Sequence, residues 1–183
     1  MLHSKCGLGS RVVHALPSGI TVARPTREDC FALAPALRQA DRDEVTAASG
    51  SLPEASLLAG LATDCHVIKS HGKPIAMLGV GTTQYDDRVG VPWFLSSQEM
   101  FDHHTIPFLR RCRAVVDDWQ QRYPLLVNFT DCRNTVHHEW LRWLGFTFIA
   151  RHEHFGAARI PFLEFVRIAP CANQRRSRRP PSQ

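Results

Sequence analysis

No run of about eighteen apolar residues occurs in the chain, so none of its helices is expected to span a membrane. Met1 to Gly19 hold no continuous apolar stretch of the kind a secretory signal needs, and they read as an extended leader without periodicity. No cysteines stand at C-x-x-C spacing: Cys6, Cys30, Cys65, Cys112, Cys132 and Cys171 are scattered. With no export signal, these six are expected as reduced thiols in a bacterial-type cytoplasm rather than as disulfides. Internal repeats are absent. What remains is 183 residues, 44% hydrophobic and 21% charged, which is the balance of a globular body and enough for one domain with a real core.

The net charge of +5 comes mostly from one place. Arg175, Arg176, Arg178 and Arg179 crowd the C-terminal end, and the other 18 basic side chains nearly cancel 17 acidic ones. A near-neutral body with a basic arm differs from a basic nucleic-acid-binding domain. Such an arm neutralises phosphates or acidic partner surfaces. No aromatic residues interleave its arginines as in a base-stacking site. The reading is therefore a leader at 1–19, a domain at 20–168 and a basic Pro/Arg-rich tail at 169–183.

Within the body, Ile20 to Arg24 alternates like a first strand, and Thr26-Arg27-Glu28-Asp29 has the pattern that starts a helix. A second helix is expected after Asp41, and Pro53-Glu54 opens a third. Cys65–Lys69 and Ile75–Val80 read as strands around a turn at His71-Gly72-Lys73-Pro74. Val89–Leu95 follows as a strand, with Gly90 and Pro92 pointing to an edge or a bulge. Ile106–Gln121 has helical spacing, and Leu125–Phe129 reads as a short buried strand. Asn134 stands where it would cap a helix whose buried face is Val136, Trp140 and Leu144. Gly145 supplies a left-handed exit, and Phe146–Glu153 and Pro161–Ile168 form a final strand pair.

This order of elements resembles the GNAT acyltransferase superfamily over residues 20–168. Its strongest carrier is Asn134, followed eleven positions later by Gly145-Phe146. The passage Ala23-Arg24-Pro25-Thr26-Arg27-Glu28-Asp29-Cys30 is similar to the superfamily's first strand-to-helix step. The resemblance implies an α/β (α+β) fold with a mixed, mostly antiparallel twisted sheet flanked by helices. It also implies an acyl-CoA diphosphate cradled by a Gly-rich loop after the fourth strand. Here that stretch, Leu95 to His104, has no glycine, and Glu99 and Asp102 oppose a diphosphate. The tyrosine that serves as general acid in the superfamily falls at Leu141, which has no proton to give.

A narrower resemblance is carried by Gly90-Val91-Pro92-Trp93-Phe94-Leu95, by Tyr123 to Asn128, by Asp131 to His137, and by Pro161 to Arg167. These strings are similar to acetyltransferase-shaped internal virion proteins of short-tailed bacteriophages. The implication is a non-catalytic structural role, with no catalytic residues and no cofactor. Its partners would be other virion proteins in a large symmetric assembly. Its place would be the virion, after assembly in the host bacterial cytoplasm. Two alternatives stand beside it. One is an active acetyl-CoA-dependent N-acyltransferase in which Leu95, Ser96, Ser97 and Asn134 border the cofactor. The other is a DNA-associated protein acting through Arg175, Arg176, Arg178 and Arg179.

Several residue groups invite sharper chemistry. His103-His104, His137-His138 and His152-x-His154 raise a metal site, but no third ligand stands at a recognisable spacing, so none is assigned. Trp93 borders the acyl-CoA cleft of the resembled fold, and packing is its default role. Glu28, Asp29, Asp41, Asp43 and Glu44 are the acids available as a general base for an amine, and spacing singles out none. Cys132, beside Asp131 and near His137, has the partners of a nucleophile only if the fold brings them together.

Overall fold

The computed structural model describes residues 19–103 and 105–170. Residues 1–18 of the leader and the four tail arginines lie outside the described residues. The first strand, β1 (Ile20–Ala23), leads directly into helix α1 (Arg27–Leu33) through a reciprocal cap. The Asp29 N–H donates to the Thr26 hydroxyl at 3.3 Å, and the Thr26 N–H donates to the Asp29 carboxylate at 3.0 Å. A 3-10 turn at Ala34–Ala36 then sets up α2 (Gln39–Ser49), and Pro53 opens α3 (Pro53–Gly60). Helix α2 begins at Gln39, three residues before the position expected from sequence. Asp41 therefore lies in its first turn, where a carboxylate suits the helix dipole.

Three antiparallel strands follow: β2 (Asp64–Ser70), β3 (Lys73–Thr82) and β4 (Val89–Ser96). Helices α4 (Gln98–His103) and α5 (Thr105–Arg122) cross to β5 (Leu125–Asp131). Helix α6 (Thr135–Trp143) and the hairpin β6 (Thr147–Phe155) and β7 (Ile160–Ile168) complete the described chain. Its seven strands form one sheet in the order β1-β2-β3-β4-β5-β7-β6, antiparallel except at β4–β5. This is the mixed, mostly antiparallel architecture expected from the sequence.

Two cores cover the two faces of the sheet. Cys112, Val116 and Trp119 of α5 pack with Leu141 and Leu144 against Leu78, Val80, Phe94, Leu126 and Phe165. Cys30, Leu33 and Leu57 of α1 and α3 pack with Val67, Met77, Trp93 and Leu95 on the other face.

Two expectations from sequence change here. Strand β4 is neither an edge nor bulged: it pairs with β3 in continuous register from Gly90 to Ser96. Gly90 is instead required where β4 meets β5, since a Cβ there would lie 2.6 Å from Leu126 and 2.8 Å from Tyr123. Pro92 is tolerated because its nitrogen shares the β5-facing side with its carbonyl, which accepts from the Asn128 side chain rather than from a ladder amide. The second change concerns α6. Val136 is 53% exposed, and the buried residues of that helix are His138 and Leu141, with Leu144 behind them. The apolar stripe is rotated relative to a spacing-four reading because a histidine, not a valine, faces inward.

The β6–β7 turn also fixes α2. The N–H groups of Ala157 and Ala158 donate to the Ala48 and Ala47 carbonyls at 3.1 and 3.0 Å, capping the end of that helix. Gly156 (φ +64) makes the approach possible, because a Cβ there would stand 2.5 Å from the Ala47 carbonyl oxygen. Gly156→Ala combines a left-handed strain with a backbone clash. It is expected to cost about 2 kcal/mol or more, read as a lower urea midpoint at unchanged m-value.

Candidate active site

The parallel ladder between β4 and β5 stops after Val89↔Leu125 and Gly90↔Leu126. Beyond it the Asn128 amide donates to the Pro92 carbonyl at 2.8 Å and stands in for the next rung. A cavity of about 370 Å³ opens at this interruption. Trp93 and Leu95 wall it from β4, Asn128 and Phe129 from β5, and α2, α3, α5 and α6 close it from the two faces. Trp93 is anchored there. Its indole N–H donates to Thr63 Oγ1 at 3.1 Å, and its ring lies so close to Gly60 that a Cβ on that glycine would stand 2.7 Å away. It packs, as expected, and forms cavity wall at the same time.

One polar group converges on the cavity wall. Glu44, from α2, accepts through Oε2 from Thr130 Oγ1 at 3.1 Å and from Asn134 Nδ2 at 3.0 Å. His137 Nδ1 lies 3.3 Å from Thr130 Oγ1 and 3.8 Å from Glu44 Oε1. The His137 ring stacks on Trp140 with centroids 5.3 Å apart. The side chains of Glu44 and His137 are 17% and 12% exposed, so they touch the cavity while standing largely out of bulk water. Burial acts to raise the Glu44 pKa, but the contacts with His137, Asn134 and Thr130 outweigh it and hold the carboxyl below its ordinary value of 4.5.

The network assigns protons. An ionised Glu44 only accepts, so the Thr130 hydroxyl hydrogen goes to it. The Thr130 oxygen then accepts from His137 Nδ1–H. In a neutral ring that leaves Nε2 with the lone pair, and Nε2 makes no hydrogen bond among the described residues. A neutral imidazole poised as an acceptor, with a carboxylate ready to stabilise the imidazolium, is a general-base arrangement.

The residues suggested by sequence fall into three places. Leu95 lines the cavity. Asn134 occupies the cap position of α6, yet its side chain makes no cap; it holds Glu44 instead. Ser96 and Ser97 are turned into the fold and do not line the cavity. Ser96 is 0% exposed, its N–H donates to Asp41 Oδ2 at 3.0 Å, and the Ser97 N–H donates to the Ile75 carbonyl at 2.8 Å. Both amides are spent inside the fold, the first on Asp41, itself ion-paired with buried Arg38, and the second on a carbonyl of β3. Glu99 is paired with Lys73 at 3.0 Å, whereas Asp102 accepts, among the described residues, only from the neutral Gln98 amide at 3.0 Å and keeps its charge.

The remaining candidates separate. His137 turns to Glu44 and Thr130, and burial pushes the Cys132 thiol pKa up, so no nucleophilic pair forms. His152 Nε2 meets Glu164 at 2.8 Å, and among the described residues no three His, Cys, Asp or Glu side chains gather as a metal site. Cys30, Cys65, Cys112 and Cys132 are free thiols. Sequence named Glu44 only as one of five acids, and Thr130 not at all. The available signal was the spacing of Asn134 and His137, three apart on one face of a helix start.

His138 gives a pH handle beside this site. Its Nε2 pairs with the Asp131 carbonyl at 2.9 Å, and burial lowers its pKa below 6.5. The unfolded chain then takes up a proton that the folded chain refuses. Stability is expected to be full above about pH 6.5 and to fall as pH drops below it, levelling off beneath the folded pKa. Urea midpoints of the wild type and His138→Gln between pH 7 and 5 check this, and the variant should show the weaker slope.

No protein-family profile matches the chain, and no curated protein matches it in sequence. Solved structures do match. An N-acetyltransferase from Staphylococcus aureus Mu50 superposes with a TM-score of 0.65 at 11% identity, covering 84% of this chain and 100% of that one. A ribosomal-protein-S5-alanine acetyltransferase from Vibrio fischeri gives 0.60 at 15% identity, over 87% and 98%. A putative acetyltransferase from Salmonella typhimurium, solved with its cofactor acetyl-CoA, gives 0.60 at 12% identity, over 84% and 95%. The chain has the GNAT acetyltransferase fold. No comparison links it to phage virion proteins.

Proposed function

We propose that the chain is an N-acyltransferase that takes its acyl group from a coenzyme A thioester. The observation behind this reading is the Glu44–Thr130–His137 relay on the wall of an apolar cavity at the β4–β5 interruption. The acyl end of the donor fits there. Its diphosphate does not fit the two amides after β4, which Asp41 and Ile75 already hold.

The thioester supplies an activated carbonyl. His137 Nε2 takes the proton of the acceptor amine as its nitrogen bonds to that carbonyl carbon, and the C–S bond breaks. The imidazolium, stabilised by Glu44, returns the proton to the departing sulfur, so the reaction balances without a tyrosine at position 141. Thr130 and Asn134 are positioning residues that fix the tautomer of His137 and the orientation of Glu44.

The second reading is a virion component without catalytic activity, contacting other virion proteins. It draws on the occupied Ser96 and Ser97 amides and on Leu141, which is 3% exposed and offers no proton. Calorimetric titration with acetyl-CoA separates the two. Binding at micromolar to submillimolar ligand is expected for the enzyme, and silence at millimolar ligand overturns it in favour of the scaffold.

A further inference from the structure

We infer that the anion seat at the end of β4 is filled by the chain's own carboxylate, Asp41, so that a thioester donor is captured without help from its diphosphate. The donor half rests on the acyltransferase reading. The seat itself is the Arg38–Asp41–Ser96 cluster, which no step of that reading uses.

Four donors converge on Asp41. Its Oδ2 accepts from Arg38 Nε at 3.2 Å, from the Ser96 N–H at 3.0 Å and from the Ser96 hydroxyl at 3.3 Å, and its Oδ1 accepts from Arg38 Nη2. A guanidinium fork, a backbone amide and a hydroxyl are the groups that hold phosphate oxygens. Here Arg38, Asp41 and Ser96 are 8%, 3% and 0% exposed, so the set is assembled and filled inside the fold. The guanidinium also lies over Phe101, 4.2 Å from the ring centroid. The segment that carries Arg38 and Asp41 is stitched to the end of β4. Leu37 bridges Ser97, and the Arg38 N–H donates to the Ser96 carbonyl at 2.9 Å. A phosphate entering this seat must displace a buried carboxylate tethered three residues from its cation. An anion held that close competes at a high effective concentration that a free ligand does not match. Donor affinity then comes from the thioester arm and not from the phosphates.

The test uses the full chain and has two arms. In the first, thiol release from acetyl-CoA is compared with release from S-acetylpantetheine, which lacks the diphosphate. The wild type is expected to use both with kcat/KM within about threefold, whereas a diphosphate held by charge-assisted bonds would separate them by about tenfold to a hundredfold. In the second, inorganic pyrophosphate is titrated calorimetrically into the wild type, Asp41→Asn, and Arg38→Met with Asp41→Leu. Asp41→Asn keeps the side-chain shape and leaves the guanidinium without its anion, so it should bind pyrophosphate at submillimolar concentration. The wild type and the double variant, which has no cation to offer, should stay silent at millimolar pyrophosphate. A preference of about tenfold or more for acetyl-CoA overturns the inference and leaves the acyltransferase reading standing. A wild type that binds pyrophosphate as well as Asp41→Asn does overturns it too, as does a folded Asp41→Asn that stays silent. Equal binding by the double variant shows a loosened fold rather than a vacated seat, and it also overturns the inference. Where Asp41→Asn fails to fold, the wild-type thioester comparison decides. A wild type that releases thiol from neither thioester overturns the acyltransferase reading and the inference together.

Discussion

His137→Ala is expected to lower kcat/KM for thiol release from acyl-CoA by about 10²- to 10⁴-fold, the range a general base contributes. The assay is run with whichever primary amine gives the fastest release on the wild type. Glu44→Gln keeps the shape and the hydrogen bonds of Thr130 and Asn134 but removes the charge facing the imidazolium. It should lose a comparable share of kcat with little change in KM. Because the two side chains act through one proton path, the double variant should be scarcely slower than the slower single one. Thr130→Val frees His137 Nδ1 to turn. A purely structural threonine would leave the pH profile of kcat/KM in place, whereas a positioning threonine shifts its acid limb. If all four variants transfer acyl groups at the wild-type rate, the site has been misassigned.

Asp41→Ala should produce the largest stability loss among the polar substitutions, about 3–5 kcal/mol. Asp41 is 3% exposed and holds three groups at once: the buried Arg38 guanidinium, the Ser96 N–H at 3.0 Å and the Ser96 hydroxyl at 3.3 Å. Its removal leaves a cation unpaired in the interior and an amide without its acceptor. For a chain of this length the loss corresponds to a melting temperature lower by roughly 10 °C. The pair as such adds less than its breakage costs. Arg38→Met with Asp41→Leu should recover most of the stability, although not the Ser96 bonds. A double variant as unstable as Asp41→Ala would mean that the Ser96 contacts, not the orphaned charge, dominate. The same variants bear on donor binding, since they free the Ser96 amide that Asp41 now occupies.

The virion reading and the enzyme reading drew on the same stretch after β4. In sequence it was an absence, no glycine and two carboxylates, and a second absence lay in α6, a leucine in place of a tyrosine. In the fold the two serines face inward, the carboxylates are bonded to neighbours, and the leucine is part of an apolar wall. The missing glycines thus spoke to the diphosphate end of a donor and the missing tyrosine to one general acid, and neither to the Glu44–Thr130–His137 relay. The only local trace of that chemistry was the spacing of Asn134 and His137, because Glu44 and Thr130 come from distant elements.

Local features were determined by the sequence by itself. The Thr26–Asp29 cap, the proline opening α3, the turn at His71-Gly72, the left-handed exit at Gly145 and the strand pair after it each depend on residues a few positions apart. Neighbouring side chains and backbone sterics suffice to set them. The order of those elements was enough for the fold class. Tertiary structure alone decided which acid matters, because Glu44 lies 86 residues from Thr130 and 90 from Asn134. It decided that Ser96 and Ser97 turn inward, since their amides answer to Asp41 and Ile75 across the sheet. It also rotated α6 so that His138 and Leu141, not Val136, face the core. Hydrophobic spacing reports that a helix has a buried side. Which residues fill that side depends on the partners the rest of the chain brings to it.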